Sequence, residues 1–206
     1  MSRPASWARV RPRAASRRVA RLLGLAAFAL VLSSCASAPD CDRIPGVRPG
    51  VCPVPVADRQ PVPDVTLPVL TSAAGLEAGV TELSLTDLEG RILVVNFWAS
   101  WCGPCRIEQP DLNAVHALLP DTEVVVIGVN IEDTQANALA HLAEFDVPYL
   151  TLFDPVNELA GRFRGIGART IPSTVFLDAG GRVAARLLGL TDTREMAALA
   201  GAIAER

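Results

Sequence analysis

Two kinds of apolar pattern alternate along this chain. Ile92 to Trp98 (ILVVNFW) and Glu123 to Asn130 (EVVVIGVN) are almost unbroken apolar runs rich in β-branched residues, which predicts strands buried on both faces. Arg106 to Leu119 instead spaces Ile107, Leu112, Val115, Leu118 and Leu119 at helical intervals. Gln135 to Phe145 does the same, with Leu139, Leu142 and Phe145 as its expected core face. Shorter strands are predicted over 82–85 and 149–153, a short helix over 156–163, and a closing helix over 193–203. Strands at 174–177 and 183–188 flank Asp178-Ala179-Gly180-Gly181, a hairpin signature. Helices alternate with strands and a hairpin follows, so the expected class is α/β, with helices flanking a central mixed sheet.

The first 34 residues follow a different rule. Seven arginines precede residue 22, whereas the first acidic residue is Asp40. The apolar run Leu22 to Leu32 then spans 11 residues, too short to cross a bilayer and suited to a signal-peptide core. It ends in Leu32-Ser33-Ser34-Cys35, which resembles a bacterial lipobox. That resemblance implies cleavage before Cys35 and lipid on its thiol and amine. An ordinary secretory cut at Ala36-Ser37-Ala38 is the alternative. Removing 1–34 changes the charge balance. From Cys35 onward 12 arginines face 22 acidic residues, a formal charge of −10 against −3 for the full chain. So acidic a domain is not suited to nucleic acid.

Residues 35–62 carry Pro39, Pro45, Pro49, Pro53, Pro55 and Pro61 without helical or strand period, which predicts a lipidated, partly extended linker. Cys41 and Cys52 lie within it. Outside the cytosol they would be oxidised, as a structural Cys41–Cys52 disulfide or as an accessory redox pair.

The chemistry concentrates at Trp101-Cys102-Gly103-Pro104-Cys105, where the strand 92–98 gives way to the helix. First-turn amides and the positive end of the helix dipole stabilise a thiolate there. Cys102 is therefore expected as the exposed nucleophile and Cys105 as the shielded resolving thiol. A zinc site would need a second ligand pair, and no second CxxC or His-x-His follows. His116 and His141 are expected as solvated helix residues far from the motif, and no metal or cofactor is expected.

Residues 63–206 resemble the TlpA/ResA-like extracytoplasmic thioredoxins, relatives of the AhpC/TSA redoxins. The resemblance rests on Pro63-Asp64-Val65-Thr66-Leu67, on Asn96 through Arg106, on Glu108 and Pro110, and on Thr170-Ile171-Pro172-Ser173-Thr174-Val175-Phe176-Leu177-Asp178. It implies a thioredoxin fold with an extra helix and strand inserted between Val129 and Phe163. It also implies a cis Ile171–Pro172 bond facing the dithiol, and substrate contacts from Trp101, Gly103, Pro104, Ile171 and Pro172. Glu108 would lie beneath the thiols and tune them, or else be a surface glutamate favoured by the dipole. Cytosolic thioredoxins carry aspartate where this chain has Asn96. Asn96 cannot titrate, so the resemblance shifts proton transfer to Glu108.

The expected activity is thiol–disulfide exchange on protein substrates by a membrane-anchored lipoprotein outside the cytosol. It would reduce envelope proteins or the haem-attachment cysteines of apocytochromes c, with electrons from a membrane protein. Two alternatives remain in the sequence. One is a thiol oxidant or peroxiredoxin-like peroxidase, although Ala99 stands where that family places threonine. The other is a lipid-anchored binding module without activity.

Overall fold

The computed structural model describes residues 44–71, 79–120, 123–163 and 165–205. The leader, Cys35 and Cys41 lie outside the described residues. The strands are β1 (Thr66–Thr71), β2 (Glu82–Ser84), β3 (Ile92–Trp98), β4 (Val124–Ile131), β5 (Leu150–Asp154), β6 (Ser173–Leu177) and β7 (Val183–Leu188). The helices are α1 (Gly103–Leu118), α2 (Gln135–Glu144) and α3 (Thr193–Ala204).

The strands form one mixed sheet in the order β2-β1-β5-β4-β3-β6-β7. β3 runs parallel to β4 and antiparallel to β6, and all seven of its residues are buried. Strand alternation then sorts its side chains. Leu93, Val95 and Phe97 join a core with Ile127, Val129, Ile131 and Phe163 on one face. Ile92 and Val94 join Leu112 and Val115 of α1 and Met196, Leu199 and Ile203 of α3 on the other. Asn96 and Trp98 share the parity of Val94, so the same alternation turns them toward the helices. Gly128 on neighbouring β4 makes room there: a Cβ would lie 3.0 Å from both Trp98 Nε1 and Thr151 Oγ1.

The helix–strand insertion expected between 129 and 163 is present as α2 and β5. β5 pairs parallel with β4 and antiparallel with β1, which moves β1 away from the sheet centre. Two local expectations are corrected. The helix over 156–163 is reduced to a three-residue 3-10 turn, Ala160–Arg162. Asp154 accounts for this, because its carboxylate accepts the N–H groups of Glu158, Leu159 and Ala160 at 2.6–3.0 Å. Asn157 also takes a left-handed φ of +59°. On α2 the buried face is Ala138, His141 and Leu142, whereas Leu139 is 40% exposed.

The proline-rich segment is not a free linker from residue 44 onward. Ile44, Val47 and Val51 pack against the α3-side core. Val54 N–H donates to the Ala184 carbonyl at 2.6 Å, Val62 N–H to Gly181 at 2.8 Å, and Val183 N–H to Gln60 at 2.8 Å. The segment thereby covers the outer edge of β7, whose backbone groups would otherwise be open to another chain. Arg59 in this segment is buried, 4% exposed, and binds Asp178 Oδ2 at 2.9 Å and the Val54 carbonyl at 3.0 Å. Arg59→Ala leaves Asp178 without its cation in a largely dry site. We expect a loss of about 2–3 kcal/mol in urea unfolding, with an unchanged m-value.

Candidate active site

β3 ends at Trp98, and the chain turns through Ala99-Ser100-Trp101 into α1. Asp133, in the loop between β4 and α2, holds this turn. Its Oδ2 accepts Ser100 N–H at 2.7 Å and an Asn130 amide N–H at 3.1 Å. Burial would raise the Asp133 carboxyl, but these bonds outweigh it and keep the group below its usual range. Trp101 is 53% exposed, with its indole N–H donating to the Glu132 carbonyl at 2.9 Å. Asp133 and Glu132 escaped sequence reasoning because their partners lie more than thirty positions away.

Cys102 is the N-cap of α1. Its sulfur accepts the Cys105 N–H at 3.2 Å, so one unpartnered first-turn amide is aimed at it. Pro104 falls in the first turn, where its missing N–H costs nothing. Cys102 and Cys105 form a disulfide with Cα atoms 5.3 Å apart. The expected exposure of Cys102 is not seen: it is 4% exposed and Cys105 is 3%. In this disulfide state the two differ through the cap hydrogen bond, not through access. Gly103 and Pro104 form an exposed rim. Ile171 packs against the cluster holding both cysteines, Trp98 and Ala99, and the Ile171–Pro172 peptide is cis. The Gly165–Thr170 loop, which precedes this peptide in the chain, lines a cleft together with Glu132.

Glu108 lies one helical turn beyond Cys105 and is 1% exposed, which corrects the surface alternative. Its Oε2 accepts an amide N–H from Asn96 at 3.0 Å, and its Oε1 accepts Thr191 N–H at 2.8 Å. Asn96 also donates to Thr174 Oγ1 at 3.0 Å. Burial pushes the Glu108 carboxyl up to about 7, against the opposing pull of the Thr191 and Asn96 bonds. Asn96 Oδ1 has no partner. Rotating this amide by a half turn lets that oxygen accept a hydrogen bond from the O–H of neutral Glu108, so the site can bond either protonation state.

His141 is neither solvated nor remote. It is 2% exposed, with ring centroids 4.4 Å from Trp98 and 4.6 Å from Phe145. Arg106 approaches Nδ1 at 3.5 Å and can only donate, so Nε2 carries the proton toward Gln109 Oε1 at 3.4 Å. Burial, and then the Arg106 charge, push the imidazole down to about 4. Gln109 passes the network on to Tyr149 Oη at 2.6 Å. His116 is half-buried beside Tyr149, with ring centroids 6.0 Å apart. Cys52 is disulfide-bonded, while its expected partner Cys41 lies outside the described residues. No group of three or more His, Cys, Asp or Glu among the described residues could hold a metal ion.

A disulfide capping a helix at the end of a central strand, with Ile171 of a cis Ile171–Pro172 peptide packed beside it, defines a thiol–disulfide oxidoreductase. The AhpC/TSA family model matches residues 59–186, and the chain belongs to that family, in its TlpA/ResA-like thioredoxin branch. It is 37% identical over 142 residues to the thiol:disulfide interchange protein HelX of Rhodobacter capsulatus, covering 68% of this chain and 73% of the relative. It is 33% identical over 147 residues to DsbE of Allochromatium vinosum, covering 71% and 74%. Among solved structures, a secreted thiol-disulfide isomerase from Corynebacterium glutamicum superposes with a TM-score of 0.66 at 28% identity, covering 76% of this chain and 92% of that one. The fold is therefore the thioredoxin fold.

The buried carboxyl has a measurable signature. A folded-state pKa raised from 4.5 to about 7 gives stability that is full below pH 4.5 and lost as pH rises through 7. His141 acts in the opposite sense, with its contribution lost as pH falls from 6.5 toward 4. Glu108→Gln isolates the first effect. At about 1.4 kcal/mol per pKa unit, we expect the oxidised variant to gain up to about 3 kcal/mol over wild type at pH 8 and nothing near pH 4.5, measured by urea unfolding.

Proposed function

We propose that this oxidoreductase works as a reductant, tethered outside the cytosol through a lipid on Cys35. The observation that carries the mechanism is the Cys102–Cys105 disulfide at the α1 N-cap with Glu108 buried one turn beyond it. In the reduced protein the Cys102 thiolate is stabilised by the Cys105 N–H and the helix N-terminus. It attacks one sulfur of a substrate disulfide, and the other sulfur leaves as a thiolate that takes a proton from water. Cys105 then loses its proton to Glu108 and attacks Cys102 Sγ. The mixed disulfide breaks, and the second substrate sulfur leaves as a thiolate that also takes a proton from water; the substrate is thus a dithiol and Cys102–Cys105 is left oxidised. Two electrons have passed to the substrate, and a dithiol donor must return them.

Substrates are protein disulfides that dock as an extended segment over Trp101, Gly103 and Pro104 and along Ile171–Pro172. Candidates are envelope proteins and the haem-attachment cysteines of apocytochromes c. The reading draws on the names of the HelX and DsbE relatives, on the Gly-Pro dipeptide between the cysteines and on the leader before Cys35. An outside location also agrees with the secreted Corynebacterium protein. No helix among the described residues is long and apolar enough to cross a membrane. In this reading Cys35, at the end of the apolar leader, carries the anchor, and a membrane protein returns the electrons. Ala99, fully buried where a peroxidase needs threonine, speaks against peroxide turnover.

Cys105→Ser expressed in cells should trap mixed disulfides through Cys102, visible on non-reducing gels and absent from the Cys102→Ser/Cys105→Ser double variant. The dithiol potential should lie well below about −120 mV, the range of a strong oxidant. A value near that figure would overturn the reducing direction. Cys35→Ala should move the protein from the membrane to the soluble fraction.

A further inference from the structure

The segment over the β7 edge also reaches toward Glu108. Arg48 extends from it to the start of α3. Its backbone N–H and Nε donate to Glu195 Oε1 at 2.9 and 2.8 Å, and its Nε and Nη2 donate to Oε2 at 2.9 and 2.5 Å. Nη2 also donates to the Leu190 carbonyl at 2.5 Å. Glu195 is 5% exposed. Burial would raise its carboxyl, but the Arg48 and Thr191 bonds outweigh this and hold it below the usual range. The same Oε2 accepts the Thr191 hydroxyl at 2.8 Å, and the Thr191 backbone N–H is the group that donates to Glu108.

Leu190 and Thr191 lie in the irregular connection between β7 and α3. Arg48 therefore grips this connection twice, directly at the Leu190 carbonyl and through Glu195 at the Thr191 hydroxyl. Without the guanidinium, Glu195 would keep only the Arg48 backbone N–H and the Thr191 hydroxyl for two buried oxygens. An under-bonded buried carboxylate is unfavourable, so it rotates or draws in water. Thr191 then loses its fixed position, and its N–H no longer meets Glu108 at 2.8 Å.

We propose that Arg48 is a positioning residue for Glu108, acting through Glu195 and Thr191 to aim the Thr191 N–H at the Glu108 carboxyl. The segment carrying Arg48 is thereby part of the active-site construction. The inference deepens the reading of Glu108 as the proton acceptor and rests on it for its consequence in the reaction. The groups that act on Glu108 come from several elements. Asp111 raises it from α1, and the Arg48 charge lowers it from the N-terminal segment. Asn96 of β3 and Thr191 before α3 bond it, and Tyr149 before β5 feels its charge. Removing Arg48 takes away an attractive charge and loosens a hydrogen bond, and both changes favour the protonated carboxyl.

The test follows the Glu108 carboxyl by 13C NMR in the oxidised protein, assigned by its absence from Glu108→Gln. Arg48→Gln should raise the titration midpoint by about half a pH unit or more. Val47→Ala, which loosens the packing of the same segment without touching Glu195, should lower Tm and leave the midpoint in place. Thr191→Val cuts the link at its other end, should raise the midpoint too, and serves if Arg48→Gln does not fold. An unmoved midpoint in Arg48→Gln or Thr191→Val overturns the proposal, as does an equal rise in Val47→Ala. The pH dependence of disulfide exchange is read in parallel. A raised midpoint with unchanged exchange supports the positioning by Arg48 and removes Glu108 from the proton transfer.

Discussion

All of β3 is buried, so the sheet must be covered on both faces and the strand can meet solvent only at its end. The active site is built at that end. α1 starts five residues beyond the last strand residue, with Cys102 as its cap, and the antiparallel partner β6 starts directly after the cis-proline. The dithiol and the proline loop are thus brought together by the pairing of two adjacent strands, Phe97 opposite Ser173. The site is thereby anchored to a strand whose every residue is buried.

The same alternation that buries β3 turns one polar side chain toward the helices. Asn96 sits among apolar neighbours and is tolerated because Glu108 and Thr174 take up its donors. Glu108 in turn is tolerated because Asn96 and Thr191 bond its oxygens from opposite sides. A carboxyl held this way near neutrality can exchange a proton within the physiological range, which an exposed glutamate cannot. His141 illustrates the other outcome of burial. Its charge is suppressed, its tautomer is set by Arg106 and Gln109, and it serves as an apolar slab between Trp98 and Phe145.

The N-terminal segment joins these two themes. It covers the exposed edge of β7 through backbone hydrogen bonds, and it fixes itself with two arginines. Arg59 secures the turn between β6 and β7, and Arg48 secures the connection into α3. Prolines suit such a role, since an edge-covering chain need not offer every N–H to the sheet.

Much of this was legible in the chain itself. The β3 and hairpin boundaries follow from β-branched runs and an Asp-Ala-Gly-Gly turn, because burial on both faces and turn chemistry are local properties. The CxxC position follows from a strand-to-helix change of period. Other features depend on partners distant in sequence. Helical spacing placed Leu139 on the core face of α2, yet Trp98 selected the face that carries His141. Periodicity predicted a helix after β5, and the Asp154 carboxylate captured its first amides instead. Proline content marked residues 35–62 as a linker, and an open β7 edge recruited the part from residue 44 onward. The amino-acid sequence by itself determined which segments could be strand or helix and where the thiols would stand. Only the tertiary structure decided the fate of the buried polar groups, because a carboxyl such as Glu108 acquires its proton affinity from donors up to 83 positions away.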